Sequence, residues 1–451
     1  MPASARTIAE LARAIRSGES TAETATRDCL ERIAERNPGI NAYITVLADQ
    51  ALAQAKQADA ELKSGRDRGP LHGVPVSLKD IIDLRGVATT AASKVRHGHL
   101  APDDAPVVAR LRDAGAVFVG KTNLHEFAFD TTNEDSAFGL VRHPLDSNRS
   151  PGGSSGGSAA SVLDGMAYAS IGTDTGGSVR IPAAACGLVG LKPSLGEVPT
   201  RGVVPLSQTM DHVGPLCRSV EDAAIVHDAL CGRTVSPRSA RDVKGLRIGV
   251  LRGYFTALLD PQVAAAFETT CRALTAAGAE LEDVHILHAG DIAPIYLHIV
   301  LSEAAALHAK TLDSHGEDYN PNVRLRLEMG RYILAEDYVR ALRGRDLLID
   351  EVDSLLLRRD ALLLPTLGVP AVKLGALAVK IGSVEEPVRN ITLRLTQLFN
   401  ITGHPAITIP CGATTDGLPI GAQLAGALNR TGDLLVVAAA VEPLLRADAT
   451  R

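Results

Sequence analysis

The chain opens on the apolar–polar rhythm of an amphipathic helix, MPASARTIAELARAIRSGES, with charges spread through it. Ser20-Thr21-Ala22-Glu23 has the form of a capping box and predicts a helix running to about Arg36, stopped by Pro38 and Gly39. Asn41 to Leu47 reads as a strand. An alanine-rich helix follows from Asp49 to about Lys63 and ends in the charged loop SGRDRG. Leu71 to Asp83 is a β-type run interrupted by Pro75, with Lys79 among apolar neighbours. Asp103 to Gly115 predicts a capped helix, and Ala116 to Val119 a short strand. Helix, strand and loop come again over 159–180. This alternation predicts an α/β fold whose strands feed loops able to carry a site.

From about 130 to 215 the pattern gives way to dense Gly, Ser, Thr and Pro, with two clusters, Gly152 to Ser158 and Thr173 to Ser178. Residues 218–350 read as mostly helical. Strand-like runs return near Leu362 and Ile407, and Leu434 to Ala440, broken by Glu442 and Pro443, reads as a buried terminal helix. With no repeat, no low-complexity linker and no domain break, residues 1–451 are expected to form a single domain. The helical middle, at about 218–350, is an insertion in it.

Composition narrows the possible functions. A chain that is 45% apolar and 22% charged suits a globular protein with a large core. The net charge of −6, 3% aromatic content and absence of Trp give nucleic acid neither a basic surface nor stacking platforms. No run of about 18 apolar residues is evident, so neither membrane nor nucleic acid is expected as a partner. Cys29, Cys186, Cys217, Cys231, Cys271 and Cys411 show no CxxC pairing and read as reduced thiols of a cytoplasmic protein.

The Gly-Ser clusters admit several chemistries. SPGGSSGGSAAS at 150–161 has linker composition, yet it leads into a helix start, where backbone N–H groups can face developing negative charge. No Lys follows the glycines as a phosphate loop requires. GxSxG matches a nucleophile elbow centred on Ser154, but HPLDSNRSP before it is not the strand an elbow needs. The second cluster, SIGTDTGGSVRIPAAACGLVGLKPS, follows a plausible strand at Ala167 to Ile171. It sets Ser178 behind two glycines, where consecutive N–H groups can converge beside its Oγ.

Together with the lysine, these residues resemble the amidase signature family. The run from Gly152 to Ser194 is similar to its signature segment almost throughout. The likeness extends to GPLHGVPVSLKDIID around Lys79, VGKTNLHEFAF at 119–129, HPLD at 143–146, GHPAITIPCG at 403–412 and GLPIGAQLAG at 417–426. The resemblance implies a central mixed β-sheet covered on both faces by helices. It also implies Ser178 as nucleophile, Ser154 as a bridging serine after a cis Gly153–Ser154 peptide, and Lys79 as base. The N–H groups of Thr175, Gly176, Gly177 and Ser178 would form the oxyanion hole, and the Ala128 backbone would line the substrate pocket. No metal or organic cofactor is implied.

Physical chemistry is consistent with these roles. A serine hydroxyl needs a base, and a lysine can serve only when neutral. Moving it from its usual ~10.4 to near 7 requires about 4.6 kcal/mol, which burial can supply. Val76, Leu78, Ile81 and Ile82 provide the apolar setting, and strand alternation turns Asp80 to the opposite face. Ser155 and Ser158 read as turn and helix-cap residues, Arg180 as a brace for the loop, and Asp174 as an Asx-turn residue. His72, His125, His143 and His404 read as structural, and Cys186 as a small buried residue.

The implied activity is cleavage of a carbonyl–nitrogen bond through an acyl-enzyme. Within the family, the glutamine-hydrolysing subunit of tRNA-dependent amidotransferases is one alternative, and a catalytically inactive scaffold another. The segment SEAAALHAKTLDSHGEDYNPNVRLRLEMG departs from the SSNLARYDG-like run of the amidotransferase members and favours a free-standing hydrolase. Phe127, Phe129, Phe138 and Leu140 suggest a pocket for an aryl or alkyl amide or carbamate (urethane). The expected partners are that small-molecule substrate and, as an open alternative, a second copy of the chain in a homodimer.

Overall fold

The computed structural model describes residues 6–234 and 241–449. Its strands are β1 (Tyr43–Val46), β2 (Pro75–Lys79), β3 (Val117–Thr122), β4 (Ala169–Asp174), β5 (Val189–Lys192), β6 (His212–Cys217), β7 (Arg247–Leu251), β8 (Glu280–Val284), β9 (Ala361–Pro365), β10 (Ala378–Ile381), β11 (Val384–Pro387), β12 (Ala406–Ala413) and β13 (Pro419–Ala425). All but the β10–β11 hairpin join one mixed sheet in the order β1-β3-β2-β4-β6-β5-β12-β13-β9-β7-β8. The trios β3-β2-β4 and β9-β7-β8 are parallel, and the centre from β4 through β6, β5, β12 and β13 to β9 is antiparallel. Helices flank this sheet: Ala48–Lys63 packs on β3, Gly156–Leu163 on β4 and β2, and Thr431–Ala449 on β12. Strands β2, β3, β4 and β9 are buried along their whole length, as expected of parallel strands covered on both faces. Lys79 therefore loses contact with water by its place at the end of β2.

Several elements depart from the sequence expectation. The capping box belongs to the first helix, Ile8–Ser17, where Thr7 and Glu10 exchange the two bonds; residues 1–5 lie outside the described residues. Thr21, not Ser20, caps the next helix, Ala22–Ile40. Pro38 does not end it. A proline in the last turn removes only one donor, and the helix stops at Asn41, which adopts φ 63° as asparagine can. Pro443 likewise lies inside the terminal helix. Residues 218–350, of which 235–240 lie outside the described residues, also contain β7 and β8, which complete one edge of the sheet. The run Ala289–Asp318 is long and apolar enough to cross a membrane by length and composition, where none was expected. Ile292, Ile295, Tyr296, Ile299 and Val300 on it are nevertheless buried in the core of the protein.

Candidate active site

Lys79 ends β2 and Thr173 and Asp174 end β4, its parallel neighbour. Both strands deliver their C-terminal residues to the same sheet edge, the usual place for a site in such folds. The first Gly-Ser loop crosses this edge and enters the helix Gly156–Leu163. It must pass very close to other backbone: a Cβ on Gly157 would lie 2.3 Å from the Asn123 carbonyl oxygen and 2.5 Å from that of Ala42. The Gly153–Ser154 peptide is cis. Ser154 then accepts a hydrogen bond from Lys79 Nζ at 2.7 Å, and Thr173 Oγ1 accepts a second at 2.9 Å.

Lys79 is fully buried, and burial pushes its pKa down to about 7 against the opposing pull of Asp174 and Asp211. Asp80 faces away from this centre. Its carboxylate pairs with Lys121 Nζ at 2.9 Å and accepts from Thr90 N at 3.0 Å.

The second loop carries Ser178, which is 6% exposed. Its carbonyl accepts from Ser155 N at 3.3 Å, so the two Gly-Ser loops are joined directly beside Ser154. Among the described residues, none of the N–H groups of Thr175, Gly176, Gly177 and Ser178 finds an acceptor. All four successive donors are therefore free to take an acceptor that the protein itself does not supply. Gly177 adopts φ 135°, and a Cβ there would meet Thr396 Oγ1 at 2.3 Å. That Thr396 hydroxyl donates to the Gly176 carbonyl at 2.5 Å. A Cβ on Gly176 would lie 2.4 Å from the Tyr296 hydroxyl oxygen, so only glycine fits against that phenol.

Arg180 braces this loop as expected. It is fully buried, with Nη2 2.9 Å and Nε 3.0 Å from the Asp174 carboxylate, and it also donates to Asn400, Gln423 and the Thr396 carbonyl. Burial alone would raise the Asp174 pKa, but Arg180 outweighs it and holds the carboxyl well below the usual range. Asp174 makes no Asx turn. It accepts from the N–H groups of Val179 and Arg180, five and six residues on, and so fixes the start of the helix Arg180–Ala185.

Other expected roles are redistributed. Ser155 stands at the N-cap position, but its hydroxyl bridges to the Thr173 backbone. Ser158 shares a 2.8 Å hydrogen bond with Thr122 and caps nothing. Ala128, at φ 60°, lines a small recess with Ile81, Thr173, Thr175, Leu206 and Asp211. Phe127 is buried in a cluster with His308 and Tyr319, its ring 4.4 Å from the imidazole. Phe138 is 37% exposed, so these aromatics do not form one pocket wall. His72, His143 and His404 make structural bonds to Ala58 O, Ala185 O and Asp353, and His125 lies 3.5 Å from Asp135. Cys186 is buried, and its thiol faces the Pro151 carbonyl.

Glu197, His227 and Cys231 are the one group among the described residues whose ligand atoms lie close enough to share a metal ion. The carboxylate and thiol there each sit 3.6 Å from His227 Nε2, and Thr431 already donates to Glu197. None of the three belongs to the loops around Ser178. Sequence reasoning missed Thr173, Asp211, Tyr296 and Thr396. Thr173 has a signal, because strand alternation places it on the same face as Thr175; the others lie far along the chain with no local pattern.

Comparison with known proteins agrees with this architecture. The amidase family model matches residues 24–435. An amidase of Pseudomonas putida is 42% identical over 428 residues, covering 91% of this chain and 90% of the relative. A glutamyl-tRNA(Gln) amidotransferase subunit of Koribacter versatilis is 38% identical over 475 residues, covering 96% and 97%. A crystal structure of an amidase superimposes with a TM-score of 0.92 at 36% identity, covering 97% of this chain and 99% of that one. The chain belongs to the amidase family and is a hydrolase of carbon–nitrogen bonds other than peptide bonds.

Proposed function

We propose that the protein hydrolyses a small amide or carbamate through a relay in which Ser178 is the nucleophile, Ser154 the bridge and Lys79 the base. The observation that carries this reading is the 2.7 Å bond from a fully buried Lys79 to Ser154, in a setting that brings the lysine pKa to about 7. Neutral Lys79 takes a proton from Ser154 Oγ, which takes one from Ser178 Oγ as that oxygen attacks the carbonyl carbon. The oxyanion lies among the N–H groups of Thr175, Gly176, Gly177 and Ser178. Collapse breaks the C–N bond, and the proton returns along the relay to the leaving nitrogen. Water then attacks the acyl-enzyme by the reverse path, restoring Ser178.

The free-standing reading is supported by the 42% identity with the Pseudomonas amidase and the close match to a solved amidase. A second reading is a glutamine-hydrolysing component working with partner chains. It is favoured by 38% identity with the Koribacter amidotransferase chain over almost the whole of both sequences. Both readings share the relay and differ in the acyl group.

Turnover of a panel of anilides, primary amides, glutamine, ureas and carbamates, with Ser178→Ala as control, tests both. Hydrolysis of simple amides or carbamates by the isolated chain supports the first reading. Activity confined to glutamine, and raised by partner chains, replaces it with the second. Turnover undiminished in Ser178→Ala removes the relay.

A further inference from the structure

The N–H groups of the proposed oxyanion hole sit on a loop of small residues, and such a loop needs an external anchor to hold four donors on one point. Thr396 and Tyr296 secure Gly176 and Gly177 from one side. On the other side the Thr175 hydroxyl donates to Asp211 Oδ1 at 2.6 Å. Asp211 immediately precedes β6, whose first residue, His212, pairs with Asp174 at the end of β4. The sheet register therefore brings Asp211 beside Thr175.

The Asp211 carboxylate is itself fixed by backbone. Leu206 N donates to Oδ2 at 2.9 Å, and Ser207 N lies 3.1 Å from both oxygens. Burial lifts its pKa to about 6, while the hydrogen bonds from Thr175, Leu206 and Ser207 hold it down, so at neutral pH it is the anion that these donors require. The turn at 206–211 is tied in turn to the helical region. Glu303, on the helix Ile292–His315, accepts from Ser207 Oγ at 2.6 Å and from Thr209 Oγ1 at 2.7 Å. The Tyr338 phenol donates to the same carboxylate at 2.9 Å. The helix that carries Glu303 also carries Tyr296, which packs on Gly176.

We infer that Asp211 is a positioning residue for the oxyanion hole: it holds Thr175, and through Glu303 it links that loop to the helix Ile292–His315. The inference rests on the proposed relay. Asp211 does not contact the reacting atoms; it acts through the Thr175 side chain on the direction of the Thr175 and Gly176 N–H groups. An oxyanion hole works because its donors are aimed before the charge develops. A looser loop should therefore slow the chemical step and leave ground-state binding nearly unchanged.

The test is steady-state kinetics of Thr175→Val, Thr175→Ser, Asp211→Ala and Thr175→Val/Asp211→Ala on whichever substrate the panel identifies, beside the rate of Ser178 labelling by a fluorophosphonate. Thr175→Val and Asp211→Ala should each lower kcat by about 10- to 100-fold with KM within about threefold, less than the loss of a whole oxyanion donor. Thr175→Ser, which keeps the hydroxyl, should stay within about threefold of wild type. The double variant should be no more than about threefold below the weaker single, because both remove one interaction. Wild-type kcat in Thr175→Val, losses that multiply in the double variant, or losses in KM alone would overturn the inference. Thr175→Val decides the matter even if Asp211→Ala does not fold. A wild-type protein that is not labelled at Ser178 removes the relay and the inference with it. Labelling and turnover at the wild-type rate in Thr175→Val remove the inference alone.

Discussion

Lys79 Nζ lies 2.7 Å from Ser154 Oγ, on the first Gly-Ser loop, and 2.9 Å from Thr173 Oγ1, at the end of the neighbouring strand β4. The amine has no carboxylate within bonding distance among the described hydrogen bonds and ion pairs. Its charged form therefore lacks the partner that buried lysines usually require.

Replacing Lys79 by Met keeps roughly the length of the side chain and deletes the proposed base. kcat/KM should fall by about 10²- to 10⁴-fold, the usual worth of a positioned general base. Ser154→Ala should fall in the same range, and Lys79→Met/Ser154→Ala should be little worse than either, since members of one relay are not additive. Burst-phase acyl-enzyme formation on an activated ester checks this. Full activity in Lys79→Met would exclude it as base.

The lysine pKa sets a pH dependence. In the proposed relay the neutral amine is the active form, so kcat/KM should rise about tenfold per unit below pH 7 and level off above it where Lys79 is the limiting group. Stability moves in the same direction. In the unfolded chain the group titrates near ~10.4, so between that value and about 7 the unfolded state holds the extra proton. Its contribution to stability is therefore lost as pH falls through that window and is constant below it. Urea unfolding at pH 7 and pH 9, compared between wild type and Lys79→Met, isolates this effect.

Asp174 and Arg180 form a fully buried pair, 2.9 Å apart. Arg180→Met leaves a buried carboxylate without its partner and should destabilise the fold by about 3–5 kcal/mol. Asp174→Asn should cost less, because Asn can still accept from Val179 N. The midpoint of denaturant unfolding measures both. A shift below about 1 kcal/mol for Arg180→Met would mean that Asn400, which donates to the Asp174 carboxylate and carbonyl, suffices to hold the loop.

Thr396→Val preserves shape and removes the hydroxyl that binds the Gly176 carbonyl. A buried acceptor left unpaired costs about 1–3 kcal/mol, and kcat should fall together with stability as the proposed oxyanion hole loosens. An unchanged kcat would assign the aim of these N–H groups to the Asp211 side alone.

The parts of the site that lie within one stretch of chain were readable from residue patterns: the two Gly-Ser loops, the lysine in its apolar strand, and the opposite orientation of Asp80. What escaped is what the sheet assembles from distant segments. β5, β6 and β13 carry Gly or Pro that disguises strand periodicity, and β7 and β8 are short strands inside a helical stretch, so these parts of the antiparallel centre and one edge of the sheet leave no local pattern. Asp211, Tyr296 and Thr396 reach the loop only through that assembly. Phe127 and Phe138 lie on one segment that suggests a single pocket, yet Phe127 turns into the core at φ 51° while Phe138 remains at the surface.

The six cysteines have a practical consequence. All are buried thiols outside any disulfide, the most accessible being Cys231 at 8% and Cys271 at 7%, and burial lifts the pKa of these two to about 12 and about 11. With little thiolate at neutral pH, the native protein should resist mild oxidants and be nearly inert to maleimides. A single cysteine introduced at an exposed position such as Leu287 would then accept a fluorophore selectively without prior removal of the native six. The chain comes ready for site-specific immobilisation or distance measurements.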